Sequence, residues 1–276
     1  MSGLKILADF TARLKKRDGS MPALFIGHGS PMNGIEDNAF SNNWKAIGKT
    51  IDTPSAILVI SAHWLSKGTH ITAMEHPKTI HDFSGFPPAL SAVQYPAAGK
   101  PELAKEIQQI VQFTQIGEDH DWGLDHGAWT ILRHMFPDAE IPVLQLSIDY
   151  YQPATYHFEL AKELQFLRNK GVLIVGSGNI IHNLKMVAWN RLNEAYGYDW
   201  AHEAHALFNK SILSADHQTL LHPESMGTAV QLSVPTPDHY YPLIYTLGLQ
   251  KSSDSIALFN DELLAGSLSM TSLVVG

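Results

Sequence analysis

The sequence contains no cysteine. That absence excludes disulfides, thiolate-ligated metal sites and cysteine nucleophiles, and it fits a reducing compartment. Long apolar runs are missing too: no stretch of 18 or more apolar residues is present to cross a bilayer. The first twenty residues, MSGLKILADFTARLKKRDGS, scatter charges from Lys5 to Asp18 where a signal peptide needs an apolar core. Residues 1–20 therefore read as an N-terminal extension or a short amphipathic helix, and a cytoplasmic location is the expectation. Positive charge is scarce: 19 Lys and Arg face 27 Asp and Glu, a formal charge of -8. Binding to a phosphate backbone needs concentrated Lys and Arg, so no nucleic-acid partner is expected, and no anionic membrane surface.

What is present is the composition of a globular chain, with 45% hydrophobic and 17% charged residues over 276 positions. No repeat, low-complexity tract or linker divides it, so residues 21–276 read as one domain. Apolar runs at 23–27 (ALFIG), 56–62 (AILVISA), 142–148 (PVLQLSI) and 172–178 (VLIVGSG) read as strands buried on both faces. Helical spacing separates them: 101–111 opens on Pro101, 153–170 is expected to end at a cap, Gly171, and 128–136 follows the polar stretch 117–127. This alternation predicts an α/β fold, a mixed and largely parallel central sheet flanked by helices. Further helices are expected after 200, and SLSMTSLVV near the end is expected as an outer strand. The polar stretches 64–99 and 117–127 read as long loops, which in a compact domain are usually functional.

Histidine is abundant, 15 of 276 residues, and its placement points to a metal. His28 follows the first strand in GHGSP, His63 closes the second in SAHW, and His182 comes shortly after the fourth. Open α/β sheets bind ligands beyond the carboxyl ends of their strands, the edge to which all three belong. His239 in PTPDHYYPL fits either a ligand or an exposed residue at a helix start. His126 in GLDHG fits an acid, a base or a neighbour of a helix cap. Asp121, Asp125, Asp149 and Asp238 are candidate acceptors for imidazole N–H groups. Trp64, Phe83, Phe86, Trp122, Trp129 and Tyr240 are candidate pocket walls or ordinary core. Competing signatures are absent: GSGNI matches no phosphate loop, GHGSP is not a hydrolase elbow, and HEAH spaces its histidines by three rather than four.

The set GHGSPM (27–32), SAHW (61–64), TIHDFSGFP (79–87), GLDHGAW (123–129), GSGNIIHNL (176–184) and PTPDHYYPL (235–243) resembles the LigB-type class III extradiol dioxygenases. Within them it is most similar to the 4,5-DOPA dioxygenase extradiol branch. The resemblance implies a single α/β domain in which His28, His63 and His239 ligate a metal. His182 is then a fourth ligand or the acid/base, with the first claim on proton transfer, and His126 the second. It implies extradiol cleavage of a catechol, 3,4-dihydroxyphenylalanine (DOPA) or a relative, to a muconic semialdehyde with both atoms of O₂ incorporated. One divalent ion per chain is implied: Fe(II) for oxygenase activity, with Zn(II) as a bound form. The better-known LigB enzymes resemble a two-histidine, one-carboxylate centre, and His239 stands here in the carboxylate's place, as in the DOPA branch. The partners implied are a small catechol and O₂, in a monomer or small homo-oligomer. The readings set against this one are a zinc-dependent hydrolase and a metal-binding protein without turnover.

Overall fold

The computed structural model describes residues 19–192 and 194–276. Most of the extension expected over 1–20 lies outside the described residues. In chain order the strands are β1 (Ala23–Gly27), β2 (Ala56–Ser66), β3 (Thr69–Thr72), β4 (Lys78–Thr79), β5 (Ile116–Asp119), β6 (Gly123–Leu124), β7 (Val143–Asp149), β8 (Val172–Gly178), β9 (Ile256–Phe259), β10 (Leu263–Leu264), β11 (Leu268–Ser269) and β12 (Ser272–Val275). Eight of them form one sheet in the order β5-β3-β7-β2-β8-β1-β12-β9. Its centre, β7-β2-β8-β1, is parallel, while β3 against β7 and the β1-β12-β9 flank are antiparallel.

The parallel centre is made of the four apolar runs, because only strands covered on both faces gain from being apolar throughout. Alternate side chains feed two cores. Ala23, Phe25, Leu58, Ile60 and Ile174 pack toward the helices Pro101–Ile110, Ala154–Leu164, Asp199–Leu213 and Tyr241–Gly248. Leu24, Ile26, Ile57, Val59, Leu173 and Val175 face the helices Ala39–Gly48 and His126–Met135. Gly171 ends the helical region before β8 with φ +76°, a left-handed conformation that glycine adopts without a Cβ penalty. No described helix is long and apolar enough to cross a membrane.

The structure corrects three details. The terminal strand β12 is not an outer strand: it lies between β1 and β9, all four of its residues are buried, and β9 takes the edge. The stretches 64–99 and 117–127 are not plain loops, for they carry β3 to β6 and a short helix at Pro88–Ser91. The second strand runs on past 62 to Ser66, with a register shift against β7 between Ile60 and Leu65.

Candidate metal centre

Each candidate histidine sits where a regular element stops or breaks. His28 follows β1, its own N–H bonded to Gly178 O at 3.0 Å, and the next residue, Gly29, turns the chain at φ +63°. His63 occupies the irregular stretch of β2, where the extra residues of a bulge re-aim a side chain. His126 opens the helix capped by Asp125, whose carboxylate accepts from Ala128 N at 3.1 Å. His182 lies past β8, its N–H on Ser233 O at 2.9 Å. His239 sits in the turn before the helix Tyr241–Gly248, and its carbonyl accepts from Asn179 N at 3.0 Å. It is buried, not exposed at a helix start.

These positions bring all five rings together. The His28 ring centroid is 5.0 Å from His63, 5.3 Å from His239 and 5.6 Å from His126. His63 is 3.9 Å from His126 and 5.1 Å from His239, and His182 stacks on His239 at 3.6 Å. Donor atoms gather in two adjoining sets, His28 with His63 and His126, and His182 with Asp238 and His239, each set within 4.8 Å.

Hydrogen bonds assign the tautomers. Ser177 Oγ donates to Gly127 O at 2.6 Å, so toward His28 Nδ1, 3.0 Å away, it acts as acceptor. Asp82 Oδ2 accepts from His126 Nδ1 at 2.9 Å and lies 3.3 Å from His63 Nδ1; Asp238 accepts from His239 Nδ1. Three imidazoles, His28, His126 and His239, thus direct an Nδ1–H outward to an acceptor and leave Nε2 for the interior, the arrangement found behind metal-bound histidines, and the Asp82 charge stands behind the fourth, His63. Burial, then the neighbouring histidines, holds His28 and His63 well below the usual histidine range. Burial and His239 hold His182 at about 3. Burial works to raise Asp82 and Asp238, yet the hydrogen bonds and charge of their histidine partners win, leaving Asp82 at about 2 and Asp238 lower still.

The donor set fits a divalent ion. His28 Nε2 and His63 Nε2 lie 3.2 Å apart. One cation fits between them, since nitrogens about 2.1 Å from one ion at an angle near 100° are separated by this distance.

Of the four aspartates expected behind the imidazoles, only Asp238 is there. Asp125 caps its helix and is held by Ser61 and Gln145. Asp149 accepts from Tyr151 N, and Asp121 makes no imidazole contact. The missed acceptor, Asp82, lies inside TIHDFSGFP, where the adjacency of an acid to a histidine was the available signal. Among the aromatics, Phe83 stands 5.6 Å from the His126 ring and edge-on to Phe86, whereas Trp64 stacks with Trp122 and Tyr240 is buried with its hydroxyl on Leu220 O. A cavity of about 380 Å³ borders the 235–241 segment, but none of the five histidines lines it.

Comparison with known proteins decides the family. The family described as the catalytic LigB subunit of aromatic ring-opening dioxygenase matches residues 22–221. The chain belongs to the LigB-type class III extradiol dioxygenases. It is 44% identical to the 4,5-DOPA dioxygenase extradiol of Escherichia coli K12, over 93% of this chain and 95% of that one. It is 33% identical to the Beta vulgaris protein of the same name, over 91% and 95%. The crystal structure of an uncharacterized Escherichia coli K12 protein superposes with a TM-score of 0.80 at 39% identity, covering 93% of this chain and 100% of that one. Among LigB-type enzymes the chain sits on the 4,5-DOPA dioxygenase extradiol branch, and the histidine cluster is a metal-binding site consistent with extradiol ring cleavage.

Proposed function

We propose that this enzyme opens DOPA or a closely related catechol at the 4,5 position, incorporating both atoms of O₂ to give a muconic semialdehyde. His28, His63 and His239 hold one divalent ion through Nε2, and His182 and His126 handle protons, with His182 close enough to His239 to act as a fourth ligand. The observation that carries the reading is the facing pair of Nε2 atoms 3.2 Å apart, with Ser177 accepting behind His28 and the Asp82 carboxylate 3.3 Å from His63 Nδ1. A ferrous ion there supplies open coordination positions, Lewis acidity and redox chemistry, whereas zinc fits the same donors without redox chemistry.

The protein groups do the remaining work. His126, held by Asp82, turns an unprotonated Nε2 into the site and takes a catechol hydroxyl proton there, a role suited to imidazole. Burial holds His182 at about 3, which keeps it a neutral imidazole whose lone pair is available to an ion. Phe83 lies against His126, an apolar wall for a flat ring. The test is anaerobic reconstitution with Fe(II), then addition of DOPA and O₂ while oxygen uptake and the yellow product are followed. Catechol-dependent uptake with iron and none with zinc is the expected result; turnover with zinc and no oxygen uptake would overturn it.

A further inference from the structure

We infer that Asp82 is a positioning residue that sets the tautomer of His126, through a carboxylate that accepts from both its ring and its backbone. The inference rests on the reading that His63 is a metal ligand and His126 handles a proton. Two donors of His126 converge on the side chain, Nδ1 at 2.9 Å on Oδ2 and the backbone N at 3.0 Å on Oδ1, while His63 Nδ1 lies 3.3 Å from Oδ2 as a charge neighbour without hydrogen-bond geometry. A carboxylate, acceptor at every lone pair, satisfies both. An amide of the same shape cannot, because whichever way it is turned its NH₂ meets at least one N–H. The His63 and His126 rings are only 3.9 Å apart, so the carboxylate that orients an acid/base at a helix N-terminus also places its negative charge beside a ligand from β2.

Asp82 reaches this place on a segment held independently of the histidines. Ile80 N donates to Leu124 O at 2.7 Å, and Trp129 Nε1 donates to Ile80 O at 2.8 Å. The same segment then delivers Phe83 against His126, beyond which Gly85, at φ +81°, has open space around it. The carboxylate is therefore in position before metal or substrate arrives. A chain that binds the ion through His63 already has His126 presenting its lone pair to the reacting catechol.

The test compares Asp82→Asn with the parent, using ¹⁵N imidazole spectra of the zinc-loaded protein together with kinetics of the iron-loaded protein. In the parent, His126 shows a single Nδ1–H tautomer. In Asp82→Asn it becomes a mixture, zinc affinity falls roughly 10–100-fold, and kcat falls about 100-fold with KM little changed, as expected for an interaction made in the transition state. An unchanged His126 tautomer in Asp82→Asn overturns the inference. Loss of the tautomer with kcat intact upholds the positioning and removes His126 from proton transfer, so the two readings fail separately. Phe83→Ala trims the adjoining ring and keeps the carboxylate. It should retain the parent tautomer; if it does not, loop packing rather than Asp82 sets the proton, and the inference falls. Should Asp82→Asn not fold, Asp82→Ala is read in the same spectra.

Discussion

Gly178 closes β8, and a Cβ placed on it would lie 2.2 Å from His239 O and 3.1 Å from His239 C. In Gly178→Ala the His239 carbonyl must retreat by about 1 Å to reach ordinary contact, and it cannot do so while accepting from Asn179 N at 3.0 Å. Overpacking costs roughly 1–3 kcal/mol, and stranding a buried donor about 1–3 kcal/mol. The expected loss is therefore about 2–6 kcal/mol, a large part of the stability of an ordinary domain. The displacement also passes to the His239 ring, and misplacement on this scale costs about 100-fold in turnover and roughly 10–100-fold in metal affinity. Gly176→Ala is the matched control. It sits two residues earlier on the same face of β8, where its Cβ meets Pro242 O at 2.4 Å and Thr246 Oγ1 at 2.7 Å, not His239. Chelator competition for zinc and urea unfolding of the metal-free protein, run on both variants, should show similar destabilisation and a much greater affinity loss for Gly178→Ala. Equal metal affinity in the two variants would refute the link from β8 to the centre.

Ser177→Ala removes the acceptor behind His28 Nδ1, and zinc titration should show roughly 10–100-fold weaker binding with a small change in unfolding midpoint. His239→Ala should largely empty the iron site, whereas His239→Glu should retain more iron by restoring a carboxylate, with reduced oxygen uptake; mass-spectrometric metal analysis after anaerobic loading checks this, and full iron occupancy in His239→Ala would remove His239 from the ligand set. Burial holds His157, deep in the core, at about 3 against an ordinary value of 6.5. Because its folded pKa lies below the unfolded one, its contribution is complete above pH 6.5 and is lost as pH falls toward 3; His157→Phe should flatten the stability curve of the metal-free protein in that window, and an unchanged slope in urea unfolding would exclude His157.

The sequence alone determines the centre of the sheet and the histidines at its edge. Strands buried on both faces must be apolar throughout, so β1 and β8 are legible to the residue and β2 and β7 nearly so. Spacing relative to those strands places His28, His63 and His182 at one sheet edge before any coordinates exist. The remaining strands need the tertiary structure: β3 and β5 are short and carry His70, Gly117, Glu118 and Asp119, and pairing satisfies their backbone where side-chain pattern is silent. Likewise the alternating pattern of β12 cannot show that the four residues of β9 will cover its outer side. Proton placement is decided in the same way. Asp82 and His126 are 44 residues apart, Ser177 and His28 149 apart, and which oxygen meets which nitrogen depends on how distant segments pack. Residue types near the strand ends announce a metal site, while the tautomers that let it bind follow from contacts that only the folded chain brings within hydrogen-bond reach.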